Sequence, residues 1–253
     1  MELKAFYEDS YTRGGDRGEV YARWRALSAV GKADHVLALT PIPLRSEETR
    51  LLDIGCGDGA LIAELARRQP GWQFAGVEIA EAAVELAADR CRDADVRVYD
   101  GEALPWDADA FELAVLSHVL EHVPDPAVVL REAARVAECV IVEVPLEDNL
   151  SARRGVKRAV ADDVGHLQRF SRRSVAYVAE QAGLRVAAEV VDPLGREVHT
   201  FFAETPVQRA RLTAKWLART AINTISPATA QRLFTVHYAC RCEPAVVPAR
   251  TAR

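Results

Sequence analysis

Short apolar runs alternate along this chain with stretches whose apolar residues recur at helical spacing. The runs near 50–54, 72–78, 95–99, 111–117 and 138–144 are rich in Leu, Val, Ile, Ala and Phe, and each has the length of a buried strand. Between them, 59–69, 80–92 and 125–137 carry apolar residues three and four apart, the period of a helix that buries one face. Such alternation predicts a parallel, doubly wound sheet with helices on both faces. Asp125 and Pro126 open the third helix well, one as cap and the other as first helical residue.

Outside this block the pattern changes. Residues 1–49 read as a helical segment in which 20–27 supply an apolar face and Pro41 and Pro43 end the helix. After the fifth strand, 144–149 follow neither period and lead into the basic stretch 153–158, read as a loop or cap. Residues 171–182 are helical, capped by Ser171 and ended by Gly183. A strand begins at 183–186 and a last one lies at 234–241, with a mostly helical insertion at 193–233 between them. The tail from Glu243 reads as frayed.

Composition narrows the class. A chain of 253 residues with 49% hydrophobic and 27% charged residues suits one α/β core with attached cap elements and argues against disorder. No apolar run approaches the ~18 residues of a membrane span, and the acidic start lacks a secretory core. A cytoplasmic protein is therefore expected. The five cysteines are odd in number and sit in apolar patterns, so they read as free core thiols; Cys240 and Cys242, two apart in a strand, are no metal site. Residues 1–150 carry 15 Lys and Arg against 29 Asp and Glu, whereas 151–253 carry 17 against 8. That basic C-terminal part suits a small acceptor that can be anionic, although its arginines are dispersed as on an ordinary solvated surface.

The chemistry starts at 51–59, Leu-Leu-Asp-Ile-Gly-Cys-Gly-Asp-Gly. An apolar strand, an acid and three alternate glycines describe a tight turn that brings backbone close to a ligand, followed by a helix with free N–H groups. Alone, the loop fits a nicotinamide enzyme as well as an S-adenosylmethionine (SAM) enzyme, because Gly55, Gly57 and Ala60 also satisfy the dinucleotide fingerprint. Glu78 ends the second strand, nineteen residues beyond Gly59, where a carboxylate can accept from ribose hydroxyls in either case. Two further phrases follow, Asp100-Gly-Glu-Ala-Leu-Pro-Trp106 after the third strand and Ser117-His-Val-Leu-Glu-His-Val-Pro124 after the fourth.

In this order the four motifs resemble the class I SAM-dependent methyltransferases, and within them the type 11 group. The resemblance runs from about 50 to 144 and continues more weakly through Gly165-His166-Leu167. It implies a Rossmann-like, seven-stranded sheet whose last strand is antiparallel. The aromatic start, with Phe6, Tyr7, Tyr11, Tyr21 and Trp24, reads as a lid over the site or as an ordinary apolar helix face, and 1–49 are taken as an N-terminal helical lid. The SAM-binding domain would cover 50–253, with substrate-cap insertions at about 145–170 and 193–233. It also implies that Asp53 and the loop Gly55, Cys56, Gly57 and Gly59 line the methionine end of SAM and that Glu78, next to Ile79, holds the ribose. Asp100 would accept from the adenine amino group beside Gly101 and Glu102, and Ser117 and His118 would face the methionine. Trp106 departs from the more frequent Phe.

SAM carries its own activated methyl, so the protein has mainly to place a nucleophile and sometimes to take a proton. His122, Glu147 and His166 are the candidate bases, and His166 is preferred as catalytic residue because histidine titrates near working pH. His118-Val-Leu-Glu121-His122 matches a zinc-hydrolase spacing, but it follows a strand directly and meets Pro124 and Pro126, so no metal is assigned. The expectation is methylation of a small molecule, with oxygen ahead of nitrogen and carbon as acceptor. The product would be S-adenosylhomocysteine. A nicotinamide-dependent oxidoreductase, a SAM-fold binding or non-methylating protein, and an RNA methylase, the last resting only on the basic C-terminal part, are the alternatives.

Overall fold

The computed structural model describes residues 8, 11, 12, 16–44, 48–153 and 165–245. The basic run 154–158, the tail beyond 245, and Phe6 and Tyr7 of the expected lid lie outside the described residues.

A 24-residue helix, α1 (Asp16–Leu39), precedes the sheet. Then β1 (Arg50–Ile54), α2 (Ala60–Arg68), β2 (Gln73–Glu78), α3 (Glu81–Arg90) and β3 (Asp95–Val98) form the first half. β4 (Phe111–Ser117), α4 (Pro126–Val136) and β5 (Ala137–Pro145) follow, and α5 (Arg172–Gln181) leads to β6 (Leu184–Asp192). Three helices, α6 (Arg196–Thr200), α7 (Pro206–Ile225) and α8 (Pro227–Leu233), fill the predicted insertion before β7 (His237–Pro244).

The seven strands lie in the order β3-β2-β1-β4-β5-β7-β6. β1 to β5 are parallel, and β7 runs antiparallel to both β5 and β6, as the resemblance implies. Strand order reverses between β1 and β4, and in an open sheet the carboxyl ends at such a switch point form a ligand crevice.

Side-chain alternation in the strands divides the core in two. Leu52, Ile54, Leu116 and Val142 pack with Leu130 and Ala133 of α4 and Val175 and Ala179 of α5. Leu51, Leu113, Val115 and Ile141 face the other way, onto Ala33, Val36 and Leu39 of α1 and Leu61 and Leu65 of α2. Asp53, two residues from Leu51, therefore points toward α1, as do Glu143 and His237. Asp125 accepts from the N–H groups of Ala127 and Val128, and Ser171 from that of Ser174, so both predicted caps form. Cys240 and Cys242 are buried and free, with their sulfurs 3.9 Å apart. The last strand starts at His237 and not at Phe234, which instead closes α8 through its N–H to the carbonyl of Ala230. Among the described residues no helix is long and apolar enough to cross a membrane.

Candidate active site

A cavity of about 990 Å³ opens at the carboxyl ends of β1, β2 and β4, between the sheet and α1. Asp53, Gly55, Cys56 and Gly57 line it from the first turn, Glu78 and Ile79 from the second, and Asp100, Gly101 and Glu102 from the third. Ser117 and His118 complete the set after β4. Four motifs far apart in the chain thus meet on one surface. Gly59 is not on the wall. It stands at the start of α2 with φ 73°, where a Cβ would lie 3.1 Å from Ala87, so its requirement is turn geometry and helix packing.

The glycine loop is held by backbone and has no room to spare. The N–H groups of Gly55 and Cys56 both donate to the carbonyl of Val77, at 2.8 and 3.0 Å. Gly55 has φ 75°, and a Cβ there would sit 2.6 Å from Val119 Cγ2. Glu78 accepts from the N–H of Gly57 at 3.2 Å and from that of Ile79 at 2.7 Å. Burial raises its pKa, and these backbone donors pull the other way. Asp53 is pushed up to about 7 by burial, against the pull of Lys32. Asp100 is exposed, and one of its oxygens accepts from the N–H groups of Glu102 and Ala103, closing its own turn.

The fourth wall comes from α1, with Trp24, Arg25 and Lys32, and from Tyr11. Asp58, buried inside the loop, takes Arg25 of α1 at 2.7 Å and Arg90 of α3 at 2.8 Å. One carboxylate thereby ties the N-terminal helix to the glycine loop. The Tyr11 hydroxyl lies over Gly57, 2.5 Å from where a Cβ would stand. Trp24 packs on Phe201 and Phe202 with ring centroids 5.3 and 5.0 Å apart, joining α1 to the insertion. Among the described residues, no wall residue comes from 145–170 or from 193–233.

The other end of the cavity holds a buried polar cluster. Glu143 of β5 is 2% exposed and receives His237 at 3.0 Å, His35 at 3.3 Å and His118 at 3.6 Å. Burial alone would raise its pKa, but the three imidazoles hold it well below the usual carboxylate range. His35 is desolvated, yet Asp192 and Glu143 lift its pKa to about 10. His118 has φ 60°, and its Nδ1 lies 2.8 Å from Glu121, which is fully buried. Burial and Lys32 oppose protonation of His118, and the carboxylates outweigh them.

His118 and His122 do not share a helix face: a left-handed residue and a short 3-10 turn (Leu120–His122) separate them from any helix. His122 lines the cavity, and its Nδ1 lies 3.1 Å from the carbonyl of Gly165. His166 stands behind it, off the wall, with ring centroids 4.9 Å apart and Nδ1 2.8 Å from Glu147. The three candidate bases are therefore adjacent, with His122 in front. Sequence reasoning missed Lys32 as a wall residue, and Glu143, His237 and His35 as a cluster. An apolar helix face signals the first only as part of a cover, and nothing in the spacing signals the rest.

A methyltransferase domain model matches residues 21–189. Over 94 residues the chain is 36% identical to a ubiquinone biosynthesis O-methyltransferase of Hahella chejuensis, covering 35% of this chain and 39% of that protein. Over 101 residues it is 40% identical to the 27-O-demethylrifamycin SV methyltransferase of Amycolatopsis mediterranei, covering 38% and 36%. These alignments span about two fifths of the curated relatives' length. The geranyl diphosphate C-methyltransferase of Streptomyces coelicolor, solved with Mg2+, geranyl diphosphate and S-adenosylhomocysteine, shares the fold at a TM-score of 0.62. Its identity is 14%, over 85% of this chain and 79% of that one.

Proposed function

This chain belongs to the class I methyltransferases, whose methyl donor is SAM, and we propose that it methylates an oxygen of a small molecule. The observation that carries the reading is the cavity floor. A glycine turn without room for a Cβ stands beside two buried carboxylates, Asp53 and Glu78, and the exposed Asp100 closes the row.

The residues present fit the cofactor. Asp53 and the Gly55 to Gly57 turn would hold its methionine end, Glu78 its ribose hydroxyls, and Asp100, with Gly101 and Glu102, its adenine amino group. Ser117 and His118 would flank the methionine. When bound, the sulfonium supplies an activated methyl. The chain's own work is to hold an acceptor in line, exclude water and accept a proton. His122 on the wall is placed to receive that proton, and His166, oriented by Glu147, backs it.

Oxygen as acceptor is supported by the two curated relatives, both named for O-methylation or an O-demethyl substrate. Lys32, facing the cavity, suits an acceptor with negative charge. α1 acts as the lid; the insertion at 193–233 shapes acceptor choice through it by way of Trp24 and the Phe201–Phe202 pair, and 145–170 does so through Gly165 and His166 behind His122. Five free, buried thiols suit a cytoplasmic setting.

Calorimetry with S-adenosylhomocysteine and with NAD tests the cofactor, with binding expected for the first alone. A NAD response without a S-adenosylhomocysteine response overturns the reading. Incubating hydroxylated small molecules with methyl-labelled SAM then tests the acceptor. With one in hand, His166→Ala is expected to slow turnover by about a hundredfold while S-adenosylhomocysteine binding persists.

A further inference from the structure

We propose that His118, His237 and Glu143 form a binding site for a first-row divalent transition-metal ion at the acceptor end of the cavity. Three donor atoms from three distant parts of the chain converge there. His118 Nε2 lies 3.3 Å from His237 Nδ1, His237 Nδ1 lies 3.0 Å from Glu143 Oε1, and His118 Nε2 lies 3.6 Å from that same oxygen. An ion about 2.0–2.2 Å from nitrogen and oxygen ligands holds neighbouring ligands about 3.0–3.6 Å apart in octahedral or tetrahedral geometry. The triangle already has those edges.

The side chains behind the triangle turn its donor atoms inward. His118 Nδ1 faces the buried Glu121 at 2.8 Å, so Nε2 is the atom left to ligate an ion. A carboxylate behind a histidine in this way fixes its tautomer and strengthens it as a metal ligand. Glu121 is itself 0% exposed, and its second oxygen has no hydrogen-bond partner. The far oxygen of Glu143 takes His35 at 3.3 Å and Ser117 at 3.5 Å, so Oε1 is the one turned to the triangle. Around it stand Glu121, behind His118, and Asp192, behind His35, with Lys32 on the cavity wall.

The site is rigid on one side and open on the other. Glu143 and His237 sit on adjacent strands, where Pro145 pairs with His237 and Glu143 with Ala239. His118 and His237 both line the cavity, which leaves the outer coordination positions facing an acceptor. Two imidazoles and one carboxylate suit zinc, iron, cobalt or nickel better than magnesium.

The ion's task rests on the methyl-transfer reading. An acceptor hydroxyl bound to it loses its proton to His122, and the resulting oxyanion attacks the methyl carbon. The C–O bond forms as the C–S bond breaks. The bonding pair returns to sulfur, leaving a neutral thioether, a methyl ether and one proton.

The test uses the full chain, stripped with a chelator, dialysed and titrated with Co2+. One equivalent is expected to give a visible ligand-field spectrum that Zn2+ removes and millimolar Mg2+ does not. His237→Ala, at the cavity edge, is expected to weaken Co2+ binding about a hundredfold or more, whereas His199→Ala, outside the cluster, leaves it unchanged. No spectrum with the parent protein, or equal binding by a folded His237→Ala, overturns the site. Calorimetry with S-adenosylhomocysteine alongside separates the two ideas. Co2+ bound without a nucleoside response sinks the methyl-transfer reading and keeps the metal site, and the converse keeps the reading and sinks the site.

Discussion

The two ends of the cavity satisfy their polar groups by opposite means. At the glycine-loop end, Glu78 and Asp100 meet backbone N–H groups one to three residues away or in the adjoining turn, and the loop bonds to the neighbouring strand. At the histidine end, Glu143 is met by side chains from positions 35, 118 and 237. The first end is local chemistry repeated after successive strands. The second exists only because β7 enters the sheet antiparallel between β5 and β6 and carries His237 to Glu143. Damage to the first should therefore appear in cofactor affinity, and damage to the second in the stability of the whole domain.

The largest expected effect is at the histidine end. Glu143→Ala removes the anion that meets His35, His118 and His237, and leaves buried imidazoles whose protons have lost their acceptor. Breaking a buried charged pair on one side costs about 3–5 kcal/mol. Urea unfolding followed by fluorescence and circular dichroism should show a loss of that size. A loss under about 1 kcal/mol would mean that water reaches the cluster and that the contrast between the two ends is false.

The next effect belongs to the glycine-loop end. Glu78→Ala deletes an acceptor that meets the Gly57 and Ile79 N–H groups and, in the proposed role, two ribose hydroxyls. Affinity for S-adenosylhomocysteine should fall by about 1.5–3 kcal/mol, roughly ten- to a hundredfold. Calorimetry that finds unchanged affinity in a folded variant would move the cofactor away from β2.

The same contrast explains what could be read from the chain. Strand and helix periods foretold the five parallel strands and the helical insertion, because each signal lies within about ten residues, whereas the antiparallel close followed from the family resemblance. The Asp53, Glu78 and Asp100 positions were legible for a related reason: each is an acid at or just past the carboxyl end of a strand, and parallel strands end on one edge. His237 carried no such mark. It opens a strand, and only the pairing of β7 with β5 gives it a site. The Asp58 link from Arg25 to Arg90 was equally hidden, since it depends on how α1 crosses the loop. His122, Glu147 and His166 were named as candidate bases one by one; that they lie side by side, and which ring faces the cavity, depends on the turn after β4.

A smaller effect separates the ends by pH. Burial opposes a charge on His35, but Asp192 and Glu143 win and hold its pKa at about 10, against 6.5 unperturbed. The folded state thus binds this proton more tightly than the unfolded state. The stabilisation is complete below about pH 6.5 and is lost as pH rises toward 10. Asp53, raised from 3.8 to about 7, makes a similar loss end near neutrality, and the buried thiols, also raised, add theirs only above about pH 8.5, so the window between reports chiefly on the histidine end. Unfolding free energy should fall there by about 1 kcal/mol per pH unit, with His35→Gln flattening the slope. An equal slope in that variant would assign the pH dependence elsewhere.

The smallest effect tests the one residue in which both arguments meet. Asp100 is exposed and one of its oxygens already closes a turn onto Glu102 and Ala103, so its place in the motif is explained without any ligand. Asp100→Asn keeps that accepting oxygen and replaces the other with an NH2 group, which cannot accept from an adenine amino group. The turn should survive, and thermal unfolding should be unchanged. If the carboxylate also meets adenine, affinity for S-adenosylhomocysteine should drop by about three- to tenfold, the size of one lost charge-assisted hydrogen bond at a wet site. Asp100→Ala supplies the other half of the comparison, since it removes the turn bond as well and should lower both affinity and stability. Equal affinity in the Asn variant and the parent would leave Asp100 a turn former only, and the glycine-loop end would then recognise adenosine through Glu78 and the backbone.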